Sequence, residues 1–135
     1  MNEYELVSIL LPTYNRADLL PQCIDSILAQ SYSNWELIIS DDASTDDTLI
    51  VSQKYTEVDS RIRYHKNPVR LGLPMNRNMA VSISQGELIL FVEDDLTLEP
   101  DCLEILVKTL EKLKAMEVNI GAVAPRLLML NEKRF

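Results

Sequence analysis

Glycine is scarce in this chain. Three occur in 135 residues, Gly72, Gly86 and Gly121, and from them neither a G-x-G-x-x-G turn nor a Walker-A loop can be written. A phosphate group bound here therefore has no glycine-rich cradle and needs side chains or a cation instead. Cysteine is scarcer still. Cys23 and Cys102 lie in helical patterns without metal-ligand spacing, which argues against a disulfide framework and reads as two reduced, buried thiols. Histidine occurs once, as His65 near a strand end, with no catalytic partner in the pattern, so it reads as structural. No apolar run approaches the ~20 residues needed to cross a bilayer, and the start Met1-Asn2-Glu3-Tyr4-Glu5 lacks the basic and apolar segments of a secretory signal. The expected location is cytoplasmic, with any membrane association peripheral and carried by parts outside this chain. Positive charge is in deficit, 13 Lys and Arg against 21 Asp and Glu for a net charge of −8. That excludes a nucleic-acid module, which depends on clustered Lys and Arg, and suits a protein that recruits a metal cation.

Against these absences stands a 47 % hydrophobic fraction, ordinary for a single globular domain with a real core. Leu6–Leu11, closed by Pro12, reads as a buried strand. Asp18–Gln30 carries Leu20, Ile24, Ile27 and Leu28 at helical spacing, with Asp18 as N-cap and Pro21 in the first turn, where a missing N–H is tolerated. Trp35–Ser40 is a second strand ending at Asp41-Asp42, and Ser44, Thr45 and Asp46 offer caps for a helix to about Tyr55. A short strand at Ile62–His65 follows, then a helix at Pro74–Ser84 with Met75, Met79 and Ile83 on one face. Glu87–Val92 is a strand ending at Glu93-Asp94-Asp95. Pro100–Met116 is a long amphipathic helix with Leu103, Leu106, Val107, Leu110 and Leu113 along one side. Ile120–Ala124 reads as a last strand closed by Pro125, and Leu127–Phe135 gives no clear element. This alternation, with near-continuously apolar strands, predicts an α/β fold with a mainly parallel sheet and helices on both faces.

In open parallel sheets ligands lie outside the carboxyl ends of the strands. Three strand ends carry distinctive groups: Pro12-Thr13-Tyr14-Asn15, Asp41-Asp42 and Glu93-Asp94-Asp95. Parallel strands bring them to one edge, where five carboxylates repel one another unless a cation sits between them. Mg2+ or Mn2+ takes oxygen ligands, with carboxylates completed by water and phosphate. A phosphate-bearing ligand is thus implied, held by the metal and by side chains such as Arg77. Each group also has a plainer reading. Asp41-Asp42 can be a turn before a helix cap, the acidic triplet a charged loop, Tyr14 a half-buried loop aromatic and Arg77 an exposed helix arginine. Their placement at the ends of separate strands of one sheet favours a site.

The segments VSILLPTYN (7–15), Gln30-Ser31-Tyr32 and WELIISDDASTDDT (35–48) resemble the opening of the family 2 inverting glycosyltransferases of the GT-A fold. Arg70–Asn78 is similar to that family's Asn-x-Gly segment leading into Ala-Arg-Asn, and GELILFVEDDLTLEP (86–100) to its strand and Asp-x-Asp metal motif. The motifs come in the family's order over nearly the whole chain. The resemblance implies a Rossmann-like GT-A half that binds a nucleotide-diphosphate sugar, UDP-linked, together with Mn2+ or Mg2+. By that resemblance Pro12, Thr13 and Tyr14 would line the nucleoside pocket, with Tyr14 against the base. Asp41 and Asp42 follow the second strand, and Asp42 would face a uracil-type base edge. Asp94 would approach the ribose or the metal, and Arg77 would lie near the donor. Asp95, last in the metal motif, would ligate the metal. Glu93, first in the motif and one methylene longer than the usual Asp, is the second candidate ligand. Arg70 replaces the Asn of Asn-x-Gly and brings a positive charge toward the diphosphate, while Asn76 replaces the Ala of Ala-Arg-Asn.

In that family a hydroxyl of a carbohydrate or lipid-linked acceptor attacks the anomeric carbon with inversion, and an Asp or Glu from the later half of the domain takes its proton. The resemblance therefore implies that residues 1–135 are one unit, the donor-binding part of a glycosyltransferase domain, truncated before the acceptor half and without the catalytic base. An edge left open by the missing half would favour self-association. Two other readings compete. One is a non-catalytic module that binds nucleotide sugars. The other is a receiver-type signalling domain, which needs a phospho-acceptor Asp ending a middle strand and a Lys after the last strand. Here the third strand ends in His65-Lys66, and Pro125-Arg126 follows the last.

Overall fold

The computed structural model describes residues 5–125. Its elements run β1 (Val7–Thr13), α1 (Leu20–Leu28), β2 (Trp35–Asp41), α2 (Thr48–Val58), β3 (Ile62–Lys66), α3 (Leu73–Ile83), β4 (Leu88–Phe91) and α4 (Cys102–Ala115). β1 and β2 are buried along their whole length, which is why both read as near-continuous apolar runs. The four strands form one sheet in the order β3-β2-β1-β4. Every pairing is parallel, with Thr13 opposite Asp41 and Val7 opposite Leu88. β1 is therefore central, and the chain crosses back over it between β3 and β4.

The two faces of the sheet are covered unequally. On one, Val7, Ile9 and Leu11 of β1 and Leu37 and Ile39 of β2 pack against Leu20, Ile24 and Ile27 of α1 and Leu103 and Val107 of α4, with Val51 and Tyr55 of α2 at the margin. On the other, Leu10 and Ile38 meet Ala80 and Ile83 of a single helix, α3. α3 lies over β1 and β2, so β4 alternates between half-buried Leu88 and Leu90 and exposed Ile89 and Phe91. β4 is thus not the doubly covered strand its sequence predicts. It is the outer strand, with no further strand beside it among the described residues.

Three local expectations are corrected. Asp18 does not cap α1. The N–H groups of Leu19 and Leu20 instead close onto the Arg16 carbonyl at 3.0 and 3.1 Å, leaving Leu19 as an N-cap with no side-chain bond and Pro21 in the first turn. α3 does not bury Met75 and Met79. Its inward face is Asn76 and Ala80, with Met75 exposed, because the Asn76 amide is bonded to β2 and sets the helix rotation. Ile120–Ala124 is not a strand. After α4 the chain reverses at Glu117 (φ 56°), and no sheet edge receives the apolar run. Leu127–Phe135 lies outside the described residues. Of the two thiols, Cys23 is buried as expected and Cys102 only half so. Asp46 does act at the start of α2, accepting from the Thr48 N–H at 3.0 Å and its hydroxyl at 2.6 Å.

Below the sheet, at the amino ends of β1 and β2, a buried carboxylate fastens the α3–β4 connection. Glu36 accepts from the Ser8 hydroxyl at 2.6 Å, from the Gln85 N–H and from Arg63 at 2.7 Å. Burial pushes its carboxyl upward, but those donors and the Arg63 charge outweigh it and hold the group below the usual carboxylate range. A carboxyl lowered by folding stabilises above its unfolded pKa and loses that contribution as pH falls through the folded value. Glu36→Gln is therefore expected to cost about 2 kcal/mol at neutral pH. The gap to wild type should narrow below roughly pH 4, as read by urea unfolding across pH. A gap that does not change with pH would take the charge of Glu36 out of the account.

Candidate functional site

A parallel sheet whose chain doubles back beside its first strand leaves a crevice outside the carboxyl ends of the two strands at the reversal. Here those strands are β1 and β4, and the crevice is bounded by Thr13 and by Glu93-Asp94-Asp95. Thr13 is buried and donates its hydroxyl to Asp94 Oδ2 at 2.9 Å across the gap. Asp94 is held above its usual range. Burial is the main cause, the Thr13 hydroxyl and Arg16 oppose it, and the neighbouring charges of Asp95 and Glu93 add to it. Burial first, and then the charges of Asp94 and Asp95, push the Cys23 thiol up to about 12. Asp95 is exposed and has no side-chain partner among the described residues.

The loop after β1 is fixed by its neighbour. Asn15 takes the left-handed conformation (φ 51°). Its side-chain oxygen accepts from the Thr45 N–H at 2.8 Å, and its own N–H donates to Ser44 Oγ at 2.8 Å. This locks the β1–α1 and β2–α2 loops together and leaves Tyr14 half exposed between them, with the Arg70 guanidinium over its ring at 4.0 Å. Pro12 is buried inside β1, opposite Ser40.

The acidic pair after β2 is already occupied by the protein. Asp41 is buried and accepts from the Ser44 N–H at 2.8 Å and from the Tyr64 hydroxyl. Asp42, 4 % exposed, accepts at Oδ1 from Asn67 Nδ2 (3.0 Å) and the Leu71 N–H (2.7 Å), and at Oδ2 from the Gly72 N–H (2.8 Å). Burial pushes its carboxyl up, but these bonds and the nearby Arg70 charge bring it below the usual range. Behind it, Asn76 accepts from the Ser40 hydroxyl at 2.6 Å and from Asn67 at 2.9 Å, and donates to the Ser40 carbonyl at 2.8 Å. The chain thus staples the 67–72 loop, which presents Arg70, to the end of β2. On the β4 side, Arg77 of α3 forms an ion pair with Glu93.

Geometry therefore joins Thr13 to Asp94, Arg77 to Glu93, and Asp42 to the loop of Arg70. Asp41 turns away from the crevice toward Tyr64. The expectation of five unrelieved carboxylates on one edge is corrected, since Asp41, Asp42 and Glu93 are each neutralised or hydrogen-bonded within the protein. Asn67 and Ser40 went unnoticed in the sequence. The signal for the network was the polar Asn76 at a helix position where the resembling family has Ala.

Among the described residues no cluster of three or more His, Cys, Asp or Glu side chains is arranged to hold a metal ion. These residues therefore form no complete protein cage. The donor set that remains, Asp95 beside the desolvated Asp94, fits a Mg2+ or Mn2+ that takes most of its shell from water and phosphate oxygens. No helix among the described residues is long and apolar enough to cross a membrane.

The fold is a Rossmann-like α/β domain of the GT-A type. Residues 8–124 match the model of glycosyl transferase family 2, and the chain belongs to that family. It is 37 % identical over 113 residues to the putative colanic acid biosynthesis glycosyl transferase WcaA of Escherichia coli, covering 84 % of this chain and 40 % of that one. It is similar in structure to S. aureus TarS 1-349 in complex with UDP, with a TM-score of 0.75 and 26 % identity over 80 % of this chain and 32 % of that one. It also shares its fold with the mannosyltransferase PcManGT from Pyrobaculum calidifontis, solved with GDP-Man and Mn2+, at a TM-score of 0.72 and 24 % identity over 83 % of this chain and 33 % of that one. The chain spans less than half the length of the curated relatives it matches. Membership in this family removes the receiver-type alternative.

Proposed function

We propose that this chain supplies the donor-binding part of an inverting glycosyltransferase, taking a nucleotide-diphosphate sugar and a divalent cation for transfer to a carbohydrate or lipid-linked hydroxyl. The observation that carries this is the Thr13–Asp94 bond across the crevice, with Asp95 exposed beside it and without a side-chain partner among the described residues. Family membership and the TarS relative, solved with UDP and with UDP-GlcNAc, favour a uridine donor. In this reading the base stacks on Tyr14, and Asp42 Oδ2, which accepts one N–H from the protein and carries a second lone pair, accepts an N–H of the base. Asp94 orients the ribose while Thr13 holds its carboxylate, and Arg70 and Arg77 face the diphosphate. The cation, held by Asp95, would stabilise charge on the departing diphosphate. The base that deprotonates the acceptor belongs to the portion of the relatives that this chain does not span.

Calorimetric titration of the folded chain with UDP, UDP-sugars and GDP-sugars, with Mn2+ and with chelator, tests the assignment. The expected result is binding of uridine nucleotides that tightens with Mn2+. A folded chain that releases no heat with any of them would refute the assignment.

A further inference from the structure

Resting on the function proposed above, we infer that Glu93 is a positioning residue for Arg77 and not a ligand of the metal. The three consecutive carboxylates at the end of β4 have different partners. Glu93 pairs with Arg77, Asp94 accepts from Thr13, and Asp95 has none among the described residues. Glu93 meets the guanidinium directly, whereas an aspartate at 93 would draw its carboxylate back by about one C–C bond, roughly 1.5 Å, and loosen the contact.

Both ends of the pair are fixed from behind. The Glu93 carbonyl accepts from the Leu96 N–H at 3.1 Å and from Cys23 Sγ at 3.6 Å. One residue before Arg77, Asn76 is bonded to Ser40 and Asn67, so the backbone of α3 is seated on the end of β2. What these anchors leave undetermined is the long Arg77 side chain, and Glu93 determines it, with the guanidinium also set 5.6 Å from the Phe91 ring centroid. Glu93 engages one terminal nitrogen. A guanidinium carries five N–H donors in a planar fork suited to phosphate oxygens, so donors remain for a diphosphate.

The Arg77 and Glu93 side chains are 36 % and 41 % exposed. A pair so open to water contributes little to stability, and its consequence is orientation. Removing it should leave the fold intact and alter ligand affinity alone.

The test titrates UDP into wild type, E93Q, E93D, R77M, D95N and the E93Q/R77M double variant, each with Mn2+ and with chelator. Mn2+ affinity in the UDP complex is followed separately by electron paramagnetic resonance, and urea midpoints establish that each variant is folded. Expected are losses of about tenfold in UDP affinity for E93Q and R77M, with Mn2+ and without it. The double variant should be no weaker than the weaker single one, and Mn2+ affinity in the E93Q complex should stay within about twofold of wild type. E93D, which keeps the charge but draws it back, should lose less affinity than E93Q. Wild-type UDP affinity in E93Q, loss of Mn2+ affinity in E93Q to the extent seen in D95N, or additive effects in the double variant would each overturn the inference while leaving the donor-binding function standing. A wild-type chain that binds no nucleoside diphosphate would overturn both.

Discussion

Replacing Gly86 by alanine is expected to destabilise the chain by about 3 kcal/mol or more. A Cβ at this position would lie 2.4 Å from the Leu6 carbonyl oxygen, 2.8 Å from Ser8 Oγ and 2.9 Å from the Ser8 nitrogen. Two of these atoms are backbone at the entrance to β1, and β1 cannot retreat because it is paired on both sides, with β2 and with β4. The Ser8 hydroxyl cannot swing away freely either. It accepts from the Gly86 N–H at 2.8 Å and donates to Glu36 at 2.6 Å. A methyl group would thus force apart the strand pair, the serine and the buried carboxylate together. Urea unfolding checks this, with a large fall in midpoint at an unchanged slope as the expected result. A midpoint that does not move would mean that the contact relaxes at little cost.

Replacing Asp95 by asparagine is expected to remove the Mn2+-dependent gain in UDP affinity, on the order of 100-fold, and to leave the chelator-treated affinity as it was. Asp95 is exposed and has no side-chain partner among the described residues, so the change takes away the proposed metal ligand and little else. It also takes away one of the like charges that raise Asp94. The stability of the variant should therefore equal or slightly exceed that of wild type. Calorimetry with and without Mn2+, alongside a urea midpoint, separates the two readouts. Undiminished Mn2+ dependence would place the cation elsewhere.

How much of this is legible in the sequence depends on where each residue's partners come from. β1 and β2 declare themselves because a strand covered on both faces needs apolar side chains at every position. Thr13 and the acidic ends of β2 and β4 follow, since parallel strands must present their carboxyl ends together. β4 misleads for the opposite reason. ELILFV reads as a buried strand, but its outward residues Ile89 and Phe91 are exposed at the sheet edge. The employment of Asp42 is hidden because its donors, Asn67, Leu71 and Gly72, stand 25, 29 and 30 residues away in a loop without periodicity. Asn76 shows as a departure from a pattern, yet nothing local reveals that its amide is bonded to Ser40 and Asn67 and faces inward while Met75 stays exposed. The pairing of Glu93 with Arg77 joins two elements whose proximity only the crossover creates.

The central place of β1 also bears on how the chain is made. It leaves the ribosome before the strands it pairs with, yet one of its two edges stays unpaired until β4 has been synthesised, after β2, β3 and α1 to α3. A nascent chain therefore carries a mostly apolar strand with an open side through most of its synthesis. Such long-range parallel pairing is slow to form and prone to aggregation while it waits. Slowing translation ahead of β4 would lengthen that vulnerable interval, and a chaperone that shields VSILLPT would shorten its effect.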